Sequence, residues 1–170
     1  MEIPKNIMER RTKNKYMYPV EINDQVRISY NESPAHIGNL KYSVDFIIPK
    51  GTPVIAAMDG IVIDLKLNSN VGGADKELEL FGNFIEIQHE NDEYSEYEHL
   101  QIQKEVIVKL GQKVKKGDII GRSGGTGYLA HLEPHLHFMV GKYGDTIDDY
   151  ETLEIIWENK HYSQPIRKKS

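Results

Sequence analysis

No cysteine occurs among the 170 residues, so a disulfide framework and a thiolate metal site are both excluded, and any metal must be held by His, Asp or Glu. Long apolar runs are missing too. The first twenty residues, MEIPKNIMERRTKNKYMYPV, mix charges throughout, so the chain as written offers neither a signal-peptide core nor a transmembrane segment, and membrane insertion is not expected. Clustered Lys and Arg are scarce. The formal charge is −5, with acids concentrated in 86–98, which argues against an extended phosphate-binding face and hence against nucleic acid. The absence of His-Glu-x-x-His removes the helix-borne metalloprotease site. The glycine-rich stretch 121–127 is not followed by Lys-Ser or Lys-Thr, which argues against a nucleotide cradle.

What remains is ordinary globular material, 39% hydrophobic and 28% charged, enough for one core in a chain of this length. Short runs rich in Val, Ile, Tyr and Phe fall at 26–30, 43–48, 60–66, 83–89, 94–99, 119–121 and 135–140. Turn residues separate them, as in Pro49-Lys50-Gly51, Asp59-Gly60, Gly72-Gly73, Asn91-Asp92 and Lys116-Gly117. The pattern predicts an all-β fold, an antiparallel sandwich or barrel-like core with long loops. Within 83–88 polar and apolar residues alternate, which places Ile85 and Ile87 on one face of a half-buried strand. A weak internal echo links Gly51-Thr52-Pro53-Val54…Asp59-Gly60-Ile61-Val62 to Gly111-Gln112-Lys113-Val114…Gly117-Asp118-Ile119-Ile120, and suggests two similar turn-and-strand halves or convergent hairpin chemistry. Residues 152–160 place Leu153, Ile156 and Trp157 at helical spacing, which predicts one short C-terminal helix before a basic tail ending Arg167-Lys168-Lys169-Ser170. The expected organisation is an N-terminal extension over 1–25, a β domain over 26–145 and a C-terminal extension over 146–170.

The strongest chemical signal is Pro134-His135-Leu136-His137-Phe138: two histidines two residues apart on a strand project to the same face, while Leu136 and Phe138 pack behind them. By the same period, Tyr97 and His99 in Tyr97-Glu98-His99 share a face, an arrangement that serves cross-strand packing as readily as catalysis. Asp45 sits in the apolar run Val44-Asp45-Phe46-Ile47-Ile48. A buried unpaired carboxylate there would be costly. A metal ion, an Arg partner or a turn position would each relieve that cost, and spacing alone ranks none of them. His89, His131 and His161 read as solvated histidines.

Taken together, Val44-Asp45-Phe46, Gly51-Thr52-Pro53-Val54, Asp59-Gly60, Gly82-Asn83, Tyr97-Glu98-His99-Leu100, Thr126-Gly127 and Pro134-His135-Leu136-His137-Phe138 resemble, in the same order, the lysostaphin/LytM zinc endopeptidases. The resemblance implies the duplicated hybrid motif type of β fold and one Zn2+ per chain, held by His36, Asp45 and His137 with water in the fourth position. It also implies that His99 and His135 handle proton transfer and oxyanion stabilisation, with Tyr97 and Asn83 as oxyanion or substrate contacts. One departure stands out: many members carry a histidine four residues before the aspartate, where this chain has Lys41, whose ammonium cannot replace an imidazole. His36, nine residues before Asp45, is assigned instead, as in a variant ending Tyr-x-Val-Asp-Phe with a lengthened loop.

Three protein ligands and an open position make a catalytic zinc site, and one carboxylate with two neutral imidazoles leaves a net positive centre that brings a bound water's pKa toward about 7. The implied activity is hydrolysis of peptide bonds by metal-activated water, in peptidoglycan-type stem-peptide cross-links. The residues do not choose between glycyl bonds and bonds of D-amino acids. Such a substrate would place the action outside the membrane, although the chain as written starts without an export signal. The glycines of 121–127 would permit close approach by an extended peptide. Two alternatives stand beside this reading: a non-catalytic LytM-like scaffold, and a biotinyl/lipoyl or phosphocarrier-like domain. The first carrier type lacks its Met-Lys-Met hairpin tip, with Asp75-Lys76-Glu77 a faint candidate; a phosphocarrier leaves Asp45 and two histidines unexplained.

Overall fold

Alternating burial turns most of the apolar runs into strands. The computed structural model describes residues 10–30, 36–130 and 133–158. In chain order the strands are β1 (Arg11–Tyr16), β2 (Arg27–Tyr30), β3 (Val44–Ile47), β4 (Pro53–Ile55), β5 (Gly60–Lys66), β6 (Gly72–Gly73) and β7 (Asn83–Gln88). They continue as β8 (Tyr94–Leu100), β9 (Lys113–Val114), β10 (Ile119–Arg122), β11 (Gly127–Tyr128), β12 (His135–Lys142), β13 (Glu151–Thr152) and β14 (Glu154–Trp157). The main sheet runs β2-β3-β12-β8-β7-β5-β9, antiparallel at each pairing, with β13 added to the end of β12. The sheet runs open from β2 to β9 and does not close into a barrel.

One face of this sheet carries Phe46, Phe138, Tyr97, Ile85 and Val62, all essentially inaccessible. Against them pack Val54 of β4 and Ile120 of β10, which form a second, two-stranded layer. The opposite face is open and carries the polar side chains of the same strands.

The echo between the two glycine-led segments has a physical basis. Gly51 and Gly111 both adopt left-handed backbone, at φ 86° and 80°, which glycine reaches without penalty. The first segment's β4 pairs with the second segment's β10, while β5 pairs with the second segment's β9. The halves therefore exchange strands, and neither can satisfy its backbone alone.

Two expectations are corrected. The C-terminal helix is a strand: Glu154–Trp157 runs parallel to β1, with Arg11 opposite Glu154 and Tyr16 opposite Trp157. The spacing of Leu153, Ile156 and Trp157 suits a helix, but a helix this short has little stability alone. The edge of β1 instead offers partners: the Glu154 N–H donates to the Arg10 carbonyl at 2.7 Å and the Ile156 N–H to Thr12 Oγ1 at 2.9 Å. The basic tail lies outside the described residues. Residues 10–25 likewise do not stand apart as an extension. Tyr16, Tyr18 and Val20 belong to the same core, Tyr18 packs on Phe46 and Trp157 at ring distances of 5.7 and 4.7 Å, and Glu93 accepts the Tyr16 hydroxyl at 2.8 Å.

Candidate metal centre

The open face of the main sheet positions the chemistry by register. His137 on β12 lies directly opposite Asp45 on β3 and Glu98 on β8, so these three side chains form one row. His36 joins them from outside the sheet. It precedes a 3-10 turn, Gly38–Leu40, in which Gly38 takes φ 57°, and the turn folds the chain back so that the buried imidazole meets Asp45. Lys41, after that turn, is exposed and lies over the Tyr42 ring.

His36 Nε2, Asp45 Oδ1 and His137 Nδ1 form a tight triangle with edges of 3.1, 2.9 and 3.2 Å, and all three residues are buried. Protons alone cannot satisfy it. Each neutral imidazole nitrogen carries at most one hydrogen and an ionised Asp45 carries none, so at least one edge always sets donor against donor or acceptor against acceptor. A cation at the centre satisfies all three edges at once. Ligand atoms held about 2.0–2.2 Å from a tetrahedral zinc stand roughly 3.3–3.5 Å apart, close to the edges found here. The residues therefore fit a zinc ion, and three donors leave the fourth position open. Burial pushes the Asp45 carboxyl up, but the bonds from His137 and His36 outweigh it and hold the group well below the usual carboxylate range. Burial disfavours charge on His137 as well, yet Asp45 and then Glu98 draw its pKa above the ordinary value.

His99 and His135 stand beside the triangle, their rings edge to face at 4.8 Å. His99 does not follow the strand period. It takes φ 63°, and the β7–β8 register slips around it, Asn83 facing Leu100 while Phe84 faces Glu98. This bulge brings His99 to the His135–His137 side of the sheet, with ring distances of 4.8 Å to His135 and 6.0 Å to His137. His99 Nδ1 donates to the Thr126 carbonyl and His135 Nδ1 to the Glu133 carbonyl, both at 2.8 Å. Since a carbonyl only accepts, Nδ1 carries the hydrogen in each ring and Nε2 is left as a lone-pair acceptor in the neutral form. Burial, reinforced by the charges of His135 and His137 and partly opposed by Glu98, pushes His99 down to about 4.

The same bulge removes Tyr97 from the expected contact set. Tyr97 keeps the core parity; its hydroxyl accepts the Ala57 N–H at 2.8 Å and lies 3.1 Å from the Ser95 hydroxyl, with no exposure. Asn83 borders the cleft, but its amide is spent on backbone: Nδ2 donates to the Ser69 and Leu100 carbonyls and Oδ1 accepts the Ser69 N–H. It ties three segments together beneath the cleft instead of presenting a group to a substrate. The glycines of 121–127 serve the protein's own packing: a Cβ on Gly124 would stand 2.5 Å from the Gln101 backbone nitrogen, and one on Gly127 2.9 Å from the Gly82 Cα. His131 and His161 lie outside the described residues. His89 is buried rather than solvated, with Nδ1 on the Asp59 carbonyl and Nε2 by the Ser95 hydroxyl, both at 2.7 Å.

Sequence reasoning missed Glu98 and Thr126. Glu98 shares the row of His137 and is half-buried. Burial disfavours its charge, but His137, His99 and a hydrogen bond with Glu96 hold it below the usual range, whereas burial and the Glu98 charge push Glu96 well up. Its position follows from the period that placed His135 and His137, once the bulge at His99 is known. The cleft, about 190 Å³, is lined by His99, His135, His137 and Glu98 with apolar walls that include Phe84 and Leu129.

Comparison with known proteins places this geometry in context. The profile described as peptidase family M23 matches residues 39–149, so His36 lies just ahead of the matched span and its place in the triangle is a finding of the structure. Over 118 residues the chain is 36% identical to the peptidoglycan DD-endopeptidase ShyC of Vibrio cholerae, an alignment covering 66% of this chain and 24% of that protein. Over 111 residues it is 39% identical to lysostaphin of Staphylococcus simulans, covering 64% and 20% respectively. The chain spans about a quarter or less of the length of these relatives. The solved catalytic domain of lysostaphin from Staphylococcus simulans superposes with a TM-score of 0.52 at 30% identity, covering 75% of this chain and 88% of that one.

Proposed function

The chain belongs to peptidase family M23, and from that premise we propose that it is a zinc-dependent endopeptidase acting on peptide bonds of peptidoglycan-type cross-links, with one Zn2+ held by His36, Asp45 and His137. The observation that carries this reading is the division of labour among five side chains. Three close into a triangle that only a cation satisfies, and two imidazoles beside it are anchored through Nδ1, with His135 Nε2 3.9 Å from Asp45 Oδ1.

A bound zinc supplies Lewis acidity, polarising a substrate carbonyl and acidifying water near neutral pH. We assign the proton acceptor to His99. Its Nδ1 is anchored on Thr126, its buried ring is neutral at pH 7, and Glu98 beside it offsets the charge of the imidazolium that forms. His135, anchored on Glu133, faces the same space and stabilises the developing oxyanion when its Nε2 carries a proton. Apolar cleft walls exclude water from these exchanges and strengthen the electrostatics. The name of ShyC, a peptidoglycan DD-endopeptidase, supports a cell-wall peptide substrate, and action on such a substrate takes place outside the cytoplasmic membrane.

The test is elemental analysis of wild type and of His36→Ala, Asp45→Ala and His137→Ala, followed by chromatography of a peptide panel containing glycyl and D-alanyl bonds. About one zinc per wild-type chain, lost in each variant, together with hydrolysis of a panel member, is the expected result. Retention of zinc by His36→Ala would overturn the first ligand. No zinc after reconstitution, or no hydrolysis by the loaded protein, would overturn the enzyme.

A further inference from the structure

Asp45, His137, Glu98 and Phe84 are successive cross-strand partners on the open face of the sheet. Direct neighbours in such a row have Cβ atoms about 4.5–5.5 Å apart. The Glu98 carboxylate therefore stands one strand away from a zinc ligand, and it lines the catalytic cleft between that ligand and the Phe84 ring. An acidic group among apolar walls is costly unless a cation meets it. Among the described residues, no Lys or Arg does so. Lys66, opposite Phe84 at the far end of the row, hydrogen-bonds the Leu80 carbonyl and lies over the Phe81 ring. Its neighbours are the imidazoles of His137 and His99 and a second carboxyl, that of Glu96, so Glu98 brings an acidic group to the cleft that, among the described residues, no lysine or arginine caps.

We infer that Glu98 is a specificity residue that receives a primary ammonium carried by the substrate next to the scissile bond. Resting on the peptidase reading, this names the substrate class of the same cleft. The position of the ammonium follows from spacing: neighbouring strands lie about 4.7–4.9 Å apart and an extended peptide advances about 3.2–3.4 Å per residue, so the cation belongs within one or two residues of the bond held at the metal. Two sources supply it, a free α-amine close to a peptide end or a side-chain amine such as that of lysine.

Three versions of the best panel peptide separate them: N-acetylated, free at its α-amine, and N-acetylated with lysine beside the scissile bond. With zinc-loaded wild type, one cationic version is expected to exceed the neutral one about tenfold in kcat/KM through KM, the size of one charge-assisted hydrogen bond, and its identity gives the source. In Glu98→Gln that ratio falls toward one, which a merely structural role would not produce. Equal kcat/KM for all three peptides in wild type, or an unchanged ratio in Glu98→Gln, overturns the inference. If no peptide is hydrolysed, the peptidase reading fails by itself, and nuclear magnetic resonance titration of the zinc-loaded protein decides for Glu98. Shifts of the Glu98 and Phe84 amides with triglycine but not N-acetyltriglycine, abolished in Glu98→Gln, support it; equal shifts or none overturn it.

Discussion

Replacing Thr126 by valine should cost more than the loss of one hydroxyl suggests. Thr126 Oγ1 donates to the Leu100 carbonyl at 2.7 Å and accepts the Asn83 N–H at 2.9 Å, in a site where Asn83 and Leu100 have no solvent exposure. Valine keeps the shape and removes both bonds. The Leu100 carbonyl retains the Asn83 side-chain amide at 3.1 Å, so that loss is an ordinary one of about 0.5–1.5 kcal/mol. The Asn83 N–H is left buried without an acceptor, which adds about 1–3 kcal/mol. The expected destabilisation is about 2–4 kcal/mol, a large part of the roughly 5–15 kcal/mol typical of a domain. Urea unfolding followed by tryptophan fluorescence reads it as a midpoint lowered by roughly 1–2 M with an unchanged slope. Thr126→Ser, which keeps the hydroxyl, should stay within about 1 kcal/mol of wild type. A loss below about 0.5 kcal/mol in Thr126→Val would refute the view that this hydroxyl braces the loop under His99.

Two further outcomes follow from the rest of the structure. Burial lowers the pKa of His89 below its ordinary value, with the Asp59 carbonyl and charge opposing in part. The unfolded chain therefore binds the extra proton first, so this contribution is complete above the unfolded pKa of about 6.5 and is lost as pH falls below it, at no more than about 1.4 kcal/mol per pH unit. His89→Asn should flatten the decline in unfolding free energy between pH 7 and 5, and an identical slope in both proteins would count against a buried neutral His89. Tyr18→Ala removes a ring packed on Phe46 and Trp157 and should cost about 3–5 kcal/mol in the same urea assay, whereas a change under 1 kcal/mol would show that residues before Val26 are dispensable to the core.

The parts of this molecule legible in its sequence are those governed by strand period alone. His135 and His137 share a face because nothing interrupts β12, and Ile85 and Ile87 share the core face for the same reason. His99 came to the site through family resemblance, since strict alternation would have left it with Tyr97 in the core. The bulge that reverses it depends on the Thr126 carbonyl and the Asn83 pairing, from segments 27 and 16 residues away in sequence. The C-terminal strand was misread because local spacing favoured a helix, while the deciding partner, β1, lies over a hundred residues earlier. The N-terminal segment looked peripheral because its mixed charges hide an alternation in which Thr12, Asn14 and Tyr16 face inward.

The parallel pairing of β1 with β14 also orders events during synthesis. Arg11 and its partner Glu154 are 143 residues apart, so at about 5–20 residues per second the ribosome releases β1 roughly 7–30 s before the strand that completes it. By then β3, β8 and β12 have all been made, and with them every donor of the metal triangle. The side chains of the candidate site are thus all synthesised before the β1–β14 clasp can form. A nascent chain halted ahead of Glu151 would carry all three residues of the triangle while β1, which pairs with β14 in a sheet of its own, still waits for its partner.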